Sequence, residues 1–209
     1  MWEYGGIFIL HEEVDYMLTP KQNMLEVIKG GNPDRFVNQY EAVQLLFHPF
    51  MFANPLLQPG QENVVNAWGV TNTFPKGVPG SFPVHTPDKI VVKDIEDWKD
   101  YVHAPSLKFT QDQWDMVKAQ YDAVDGEQAF KAAFVAPGLF EQTHHLCEIS
   151  NALVYYITNP DEMHDLIKYL TEWELELAEG ICSNLHPDAL FHHDDWGGLD
   201  RTFMSPEIG

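Results

Sequence analysis

Phe191-His-His-Asp-Asp-Trp-Gly-Gly198 places two histidines, two carboxylates and a tryptophan side by side. A carboxylic acid or imidazolium beside a leaving oxygen can protonate it, and an indole can stack on a planar substrate. Adjacent residues on an extended segment point to opposite sides, so only one of Asp194 and Asp195 faces a pocket directly. Asp194 is assigned to the pocket and Asp195 to bracing the loop; the alternative is that both only cap a helix. His192 and His193 alternate in the same way. A second stretch, Gly138-Leu-Phe-Glu-Gln-Thr-His-His145, has Glu141 in the first turn of a helix, where the helix dipole favours an anion. One of His144 and His145 is expected to face the pocket, the alternative being a solvated first turn. The candidates for acid and base work are therefore Asp194, Asp195, His145 and Glu141. His193, Trp196, His144 and Trp68 are the candidates for substrate contact, with Phe74 and Phe82 as further stacking surfaces or plain packing. His48, His85 and His103 are isolated and read as surface or packing residues. No Ser/His/Asp set, P-loop or GxGxxG is present.

These residues need elements to hold them. Thr19 as N-cap, Pro20 at the first helical position and Gly30-Gly31 at the end predict a helix over 19–29. Phe36-Val-Asn-Gln-Tyr40 reads as a short strand within 35–43. Residues 47–87 are rich in Pro, Gly and aromatics, which predicts a functional lid or small strands over a core. Asp94 to Trp98 begins a short helix, and 109–124 a longer one with Trp114, Val117, Tyr121 and Val124 on one face. Ala129–Ala136 is a buried-strand candidate broken by Pro137-Gly138, followed by one helix over 140–157. From Pro160 to about Leu185, Met163, Leu166, Ile167, Leu170, Trp173, Leu177 and Ile181 follow helical spacing. Ala189–His192 is a second strand. Strand, helices and strand make a βαβ unit, hence a parallel sheet whose active site lies on the loops at the strands' C-terminal ends. Both candidate stretches fall on such loops.

The chain has 209 residues, enough for one sizeable core, and a formal net charge of −20, which disfavours nucleic acid and anionic membrane surfaces as partners. Its two cysteines, Cys147 and Cys182, lack metal-ligand spacing and sit in apolar helical contexts, so packing and a cytoplasmic location are expected. No apolar run reaches the ~20 residues of a membrane span. Residues 1–16 are read as a translated leader before a start at Met17, because Glu12-Glu13-Val14 can be encoded by a ribosome-binding sequence; a real extension is the alternative.

Four stretches resemble the uroporphyrinogen decarboxylase-like superfamily. Leu18 to Arg35 is similar to its opening helix and Pro-Asp-Arg. Asn66-Ala-Trp-Gly-Val70 is similar to a recurrent Asp-x-Trp-Gly-Val, with Asn in the acidic place. Gly138 to Leu146 is similar to its Gly-x-Phe-Glu loop, and Phe191 to Glu207 to its Asp-Asp-x-Gly…Ser-Pro-Glu segment. The resemblance implies an α/β fold, the N-terminal part of a (β/α)₈ TIM barrel with an N-terminal helical and long-loop region over 17–209. Such barrels run to ~250 residues, so the C-terminal half is expected to lie outside this sequence, and open sheet edges would favour self-association.

The corrinoid-linked methyltransferases, including O-demethylase types, are the nearer members. The resemblance implies methyl transfer between a methylated small molecule or tetrahydrofolate and a corrinoid protein. It places zinc in the absent half, leaves no cofactor bound by this part alone, and makes the part alone inactive. The alternatives are a metal-independent decarboxylase and a non-catalytic half-barrel. The decarboxylase's Arg-rich loop has no counterpart here, and Arg35 and Arg201 are the only arginines.

Overall fold

The computed structural model describes residues 17–205 apart from Pro55. The expected leader and the Pro206-Glu207 end of the Ser-Pro-Glu motif lie outside the described residues. The chain forms a mixed α/β structure around a three-stranded parallel sheet, β1 (Val43–Leu46), β5 (Phe130–Val135) and β6 (Ala189–His192), ordered β1-β5-β6. Register is direct: Leu46 lies beside Ala133, and Val135 beside His192.

Helix α1 (Pro20–Lys29) forms where its caps predict. Thr19 and Gln22 make a reciprocal capping box, and Gly30 ends the helix at φ 67°, a left-handed conformation that glycine adopts without penalty. Fully buried Asn23 takes the backbone N–H of Asp34 at 2.8 Å, so the Pro-Asp-Arg turn is folded onto α1. The first turn of α1 is tied in turn to the base of β5, with Thr19 Oγ1 donating to the Glu127 carbonyl at 2.9 Å.

The strand expected within 35–43 is instead the short helix α2 (Gln39–Ala42), and β1 starts at Val43. Phe36 is 98% exposed, so no burial rewards extending that stretch beside the sheet. The Pro/Gly-rich region holds α3 (Pro49–Ala53) and a small antiparallel sheet of β2 (Val64–Val65), β3 (Thr71–Thr73) and β4 (Phe82–Pro83). A 3₁₀ turn over Ile95–Asp97 leads into α4 (Trp98–Tyr101). Helix α5 (Gln111–Asp122) starts at a second capping box, Thr110 with Gln113.

The single helix expected over 140–157 is two, α6 (Leu139–Cys147) and α7 (Ile149–Thr158). Glu148 separates them at φ 74°, rare for a residue with a Cβ, and its carboxylate caps α7 by accepting from the Asn151 N–H at 3.1 Å. No glycine or proline marks that break. Helix α8 (Pro160–Leu185) runs as the apolar spacing predicts.

Two cores meet at α8. Leu166 and Leu170 pack with Trp68, Ile95, Trp98 and Leu146; Leu177, Ile181 and Leu185 pack with Leu46, Ala133, Val135 and the apolar face of α5. Trp173 packs against both cores, edge-on to Trp68 and Phe50 at 4.9 and 5.0 Å, and its indole N–H donates to the Pro105 carbonyl at 2.8 Å. Cys147 is buried as expected, its thiol pKa pushed up to about 12 by burial, whereas Cys182 is exposed on α8. Among the described residues no helix is long and apolar enough to cross a membrane.

Ile181 is fully buried between α5 and the sheet. Ile181→Ala is expected to lower the unfolding free energy by about 2–5 kcal/mol, through lost transfer energy and the cavity left behind. Val154→Ala on the exposed side of α7 should change it by less than about 0.5 kcal/mol. Urea titration with unchanged m values checks both.

Candidate active site

Strand β6 ends where the polar cluster begins, and the ladder continues one residue further: the His193 N–H donates to the Val135 carbonyl at 2.9 Å. The alternation of an extended chain then sends the two imidazoles to different partners. His192 Nε2 meets the Glu174 carboxylate of α8 at 2.5 Å, and His193 Nδ1 meets Glu141 of α6 at 3.2 Å. Both histidines are partly solvated, at 44% and 43% side-chain exposure, while each carboxylate is at 16%. The result is two carboxylate–imidazole pairs at the C-terminal ends of β5 and β6.

Asp194 does not face the pocket as a free acid. Its two oxygens accept the backbone N–H groups of Phe140 and Glu141 at 3.0 and 2.8 Å, so it caps α6 from the neighbouring loop. Two unsatisfied donors at a helix start, together with the positive end of the helix dipole, explain why a carboxylate settles there. Gly138 is what lets it in, since a Cβ on that residue would lie 2.4 Å from the Asp194 Cβ. Asp195 was the residue expected to brace the loop, but its side chain is 64% exposed, and its Oδ1 lies 3.8 Å from His193 Nε2, too far for a hydrogen bond.

The electrostatics follow from burial. Burial pushes the Glu141 pKa up, partly offset by the His193 hydrogen bond and charge, and the nearby Asp195 and Asp194 push it further up. Glu174 is raised for the same leading reason, with His192 opposing. His145 is driven down to about 3, first by burial and then by the neighbouring His144 and His85. It lies 3.9 Å from Glu141, which for a neutral imidazole is proximity rather than an ion pair. His144 is lowered chiefly by burial and packs against Phe140 and the His145 ring. His145 therefore serves as a neutral neighbour of Glu141, not as an acid at neutral pH. His85, which looked isolated, donates through Nε2 to the His145 carbonyl at 3.0 Å and anchors that turn.

A cavity of about 30 Å³ lies between the β5–α6 loop, α8 and the long-loop region. Trp68, Trp173, Asn54, Asn66, Gln142 and Glu174 contribute to its walls. Trp68 is a wall of this cavity and only 4% exposed, so it offers no open stacking face. Trp196 is 60% exposed beyond the cluster, where it contacts solvent. Phe203 folds back to stack on Phe140, with ring centroids 5.8 Å apart.

Glu174 and Gln142 were not anticipated from sequence. Glu174 falls four residues after Leu170 and three before Leu177, on the buried stripe of α8, and a charge on such a stripe is the signal that marks it. Gln142 carries no comparable mark. Among the described residues no group of three or more His, Cys, Asp or Glu side chains is placed to hold a metal ion. No protein-family model, curated protein or solved structure matches the chain.

Asp194→Ala and Gly138→Ala should each destabilise the protein by about 1–3 kcal/mol, the first by stranding two helix-start donors and the second by overpacking. Their effects should be less than additive, because both loosen one contact. A double-mutant cycle in urea measures this.

At the same end of the sheet, His48 is 1% exposed and donates through Nε2 to the Phe134 carbonyl at 3.1 Å. Burial lowers its pKa to about 4. A depressed histidine contributes stability above its unfolded pKa, lost as pH falls from about 6.5 through about 4. By pH 4 that loss should reach roughly 3 kcal/mol in wild type, and His48→Gln should remove it from the difference between urea titrations at pH 7 and pH 4.

Proposed function

We propose that this chain is the N-terminal arc of a uroporphyrinogen decarboxylase-like (β/α)₈ barrel whose strand-end loops protonate a leaving oxygen during methyl transfer to a corrinoid protein. The order and spacing of the four motifs support the family reading. Parallel strands adjacent in chain order, with α5 and α8 packed on one face, support a barrel arc.

The observation that carries the activity is the buried Glu141 carboxyl hydrogen-bonded to His193. Burial favours the protonated form of Glu141, as a general acid requires. The protonated carboxyl gives its proton to the oxygen that departs from the methyl group, and the partly solvated His193 returns a proton from water. Asp194 holds the first turn of α6, and with it Glu141, in place. The corrinoid, carried by its own protein, supplies the nucleophile that takes the methyl group.

The same residues weigh against a polycarboxylate substrate. Glu141, Glu174, Asp194 and Asp195 crowd the strand ends, and no Lys or Arg is among the charged neighbours that shift Glu141 and Glu174. A second reading, a non-catalytic module that completes its sheet against another chain, is favoured by β1 and β6, each paired on one side only among the described residues.

In methyl-transfer assays with a corrinoid protein and a panel of methyl ethers and methylamines, Glu141→Gln is expected to lower kcat by about 10²–10⁴-fold with little change in KM. The wild-type rate should fall as pH rises through the elevated Glu141 pKa, and His193→Gln should slow turnover less. Unchanged turnover in Glu141→Gln sinks the acid assignment. A tight homodimer lacking any methyl transfer would favour the second reading.

A further inference from the structure

We infer that the cavity between α6 and α8 is a binding subsite for one hydroxyl group of a neutral, hydroxylated small molecule, received by Gln142 and Glu174. The inference rests on the reading that the strand ends form a ligand site, and not on the methyl-transfer chemistry.

Gln142 is 5% exposed, it lines the cavity, and its Nε2 has no hydrogen-bond partner among the described residues. An orphaned buried donor costs free energy that a native structure recovers through a partner, here one that enters from the cavity. The other polar walls narrow the choice. Asn54 Oδ1 is taken by the Ala67 N–H at 2.9 Å, and Asn66 Oδ1 by the N–H groups of Trp68 and Val70 at 2.9 and 3.0 Å. Their NH₂ groups are what remains to meet a ligand, so the site offers donors and needs an oxygen. The opposing polar wall is the Glu174 carboxylate, whose Oε1 is taken by His192 Nε2 at 2.5 Å, so its Oε2 is what remains to accept a hydrogen.

A hydroxyl does both: its lone pairs accept from Gln142 and its hydrogen goes to Glu174. A carboxylate or phosphate is opposed by Glu174. An ammonium group has no lone pair for the three carboxamides. The volume of about 30 Å³ suits one oxygen-sized group, so the ligand inserts a single hydroxyl while its body stays outside. If the Gln142 amide is turned the other way, the hydroxyl still answers it, because it both donates and accepts.

The test uses the full-length protein and three small probes: glycerol, acetate and methylammonium. Side-chain NH₂ signals are followed by ¹H–¹⁵N correlation NMR. Glycerol should shift the Gln142 signal saturably while acetate and methylammonium do not. Gln142→Met, similar in volume, should weaken glycerol binding about tenfold, and Glu141→Gln should leave it unchanged. Absence of a glycerol response, an equal or stronger response to acetate or methylammonium, or full retention of binding in Gln142→Met overturns the inference. The wild-type probe series decides the matter even if Gln142→Met fails to fold. Loss of turnover in Glu141→Gln alongside an absent glycerol response would leave the acid role standing and remove only the subsite.

Discussion

One carboxylate ties this site together. Asp194, on the loop after β6, accepts both N–H groups at the start of α6, the helix that follows β5. Two consecutive strand-end loops are thereby locked across the sheet by charge-assisted hydrogen bonds in a partly buried setting, where such bonds are stronger than at the surface. The contact sets where Glu141 stands, one residue before Gln142 of the cavity wall. A glycine at position 138 is its steric condition. The residue best placed to look catalytic by sequence is thus a cap on α6, and the proposed acid role falls to Glu141 on the turn it holds.

The alternation of β6 explains why two carboxylates share the work of pairing. His192 and His193 leave the strand in opposite directions, so each finds a different helix: α8 for one and α6 for the other. Both partners, Glu174 and Glu141, have pKa values raised by burial, with their imidazoles opposing. Burial raises the pKa of a carboxyl, and an adjacent imidazolium lowers it. A group poised between these opposing effects can change its protonation at modest cost, which a lone surface carboxylate cannot match.

What the sequence made legible follows the physics of each signal. Helix α8 was readable because its seven apolar positions repeat over many turns, α5 because Trp114, Val117, Tyr121 and Val124 share one face, and α1 because a Thr cap and a terminal glycine announce its ends. Strands β5 and β6 were readable as apolar runs between breakers, and so was the parallel pairing that brings their end loops together. The break between α6 and α7 was not, since Glu148 adopts a positive φ without the glycine that normally signals it. The stretch around Phe36 carried strand-like residues, yet tertiary burial decides such cases and none was available there. Within the site, the partners Glu141 and His193 were named, but Asp194, expected to face the pocket, caps α6, and Asp195, expected to brace the loop, is mostly exposed. Adjacency establishes only that the two point apart; which of them meets a helix start depends on where α6 lies across the sheet, a tertiary fact.

Gln142 marks the limit of reading chemistry from residue type. A glutamine in an amphipathic helix is among the least informative residues in a sequence, because on a solvated face it does nothing in particular. Its meaning comes from being buried on the turn that Asp194 fixes, opposite a carboxylate that α8 carries on its apolar stripe. Had α6 started one residue later, the helical rotation of about 100° per residue would have moved Gln142 off the cavity wall and changed the direction of Glu141 as well. The cap on α6 therefore positions both the residue proposed to bind and the residue proposed to transfer a proton. The two are separable only by substitutions that leave Asp194 and Gly138 intact.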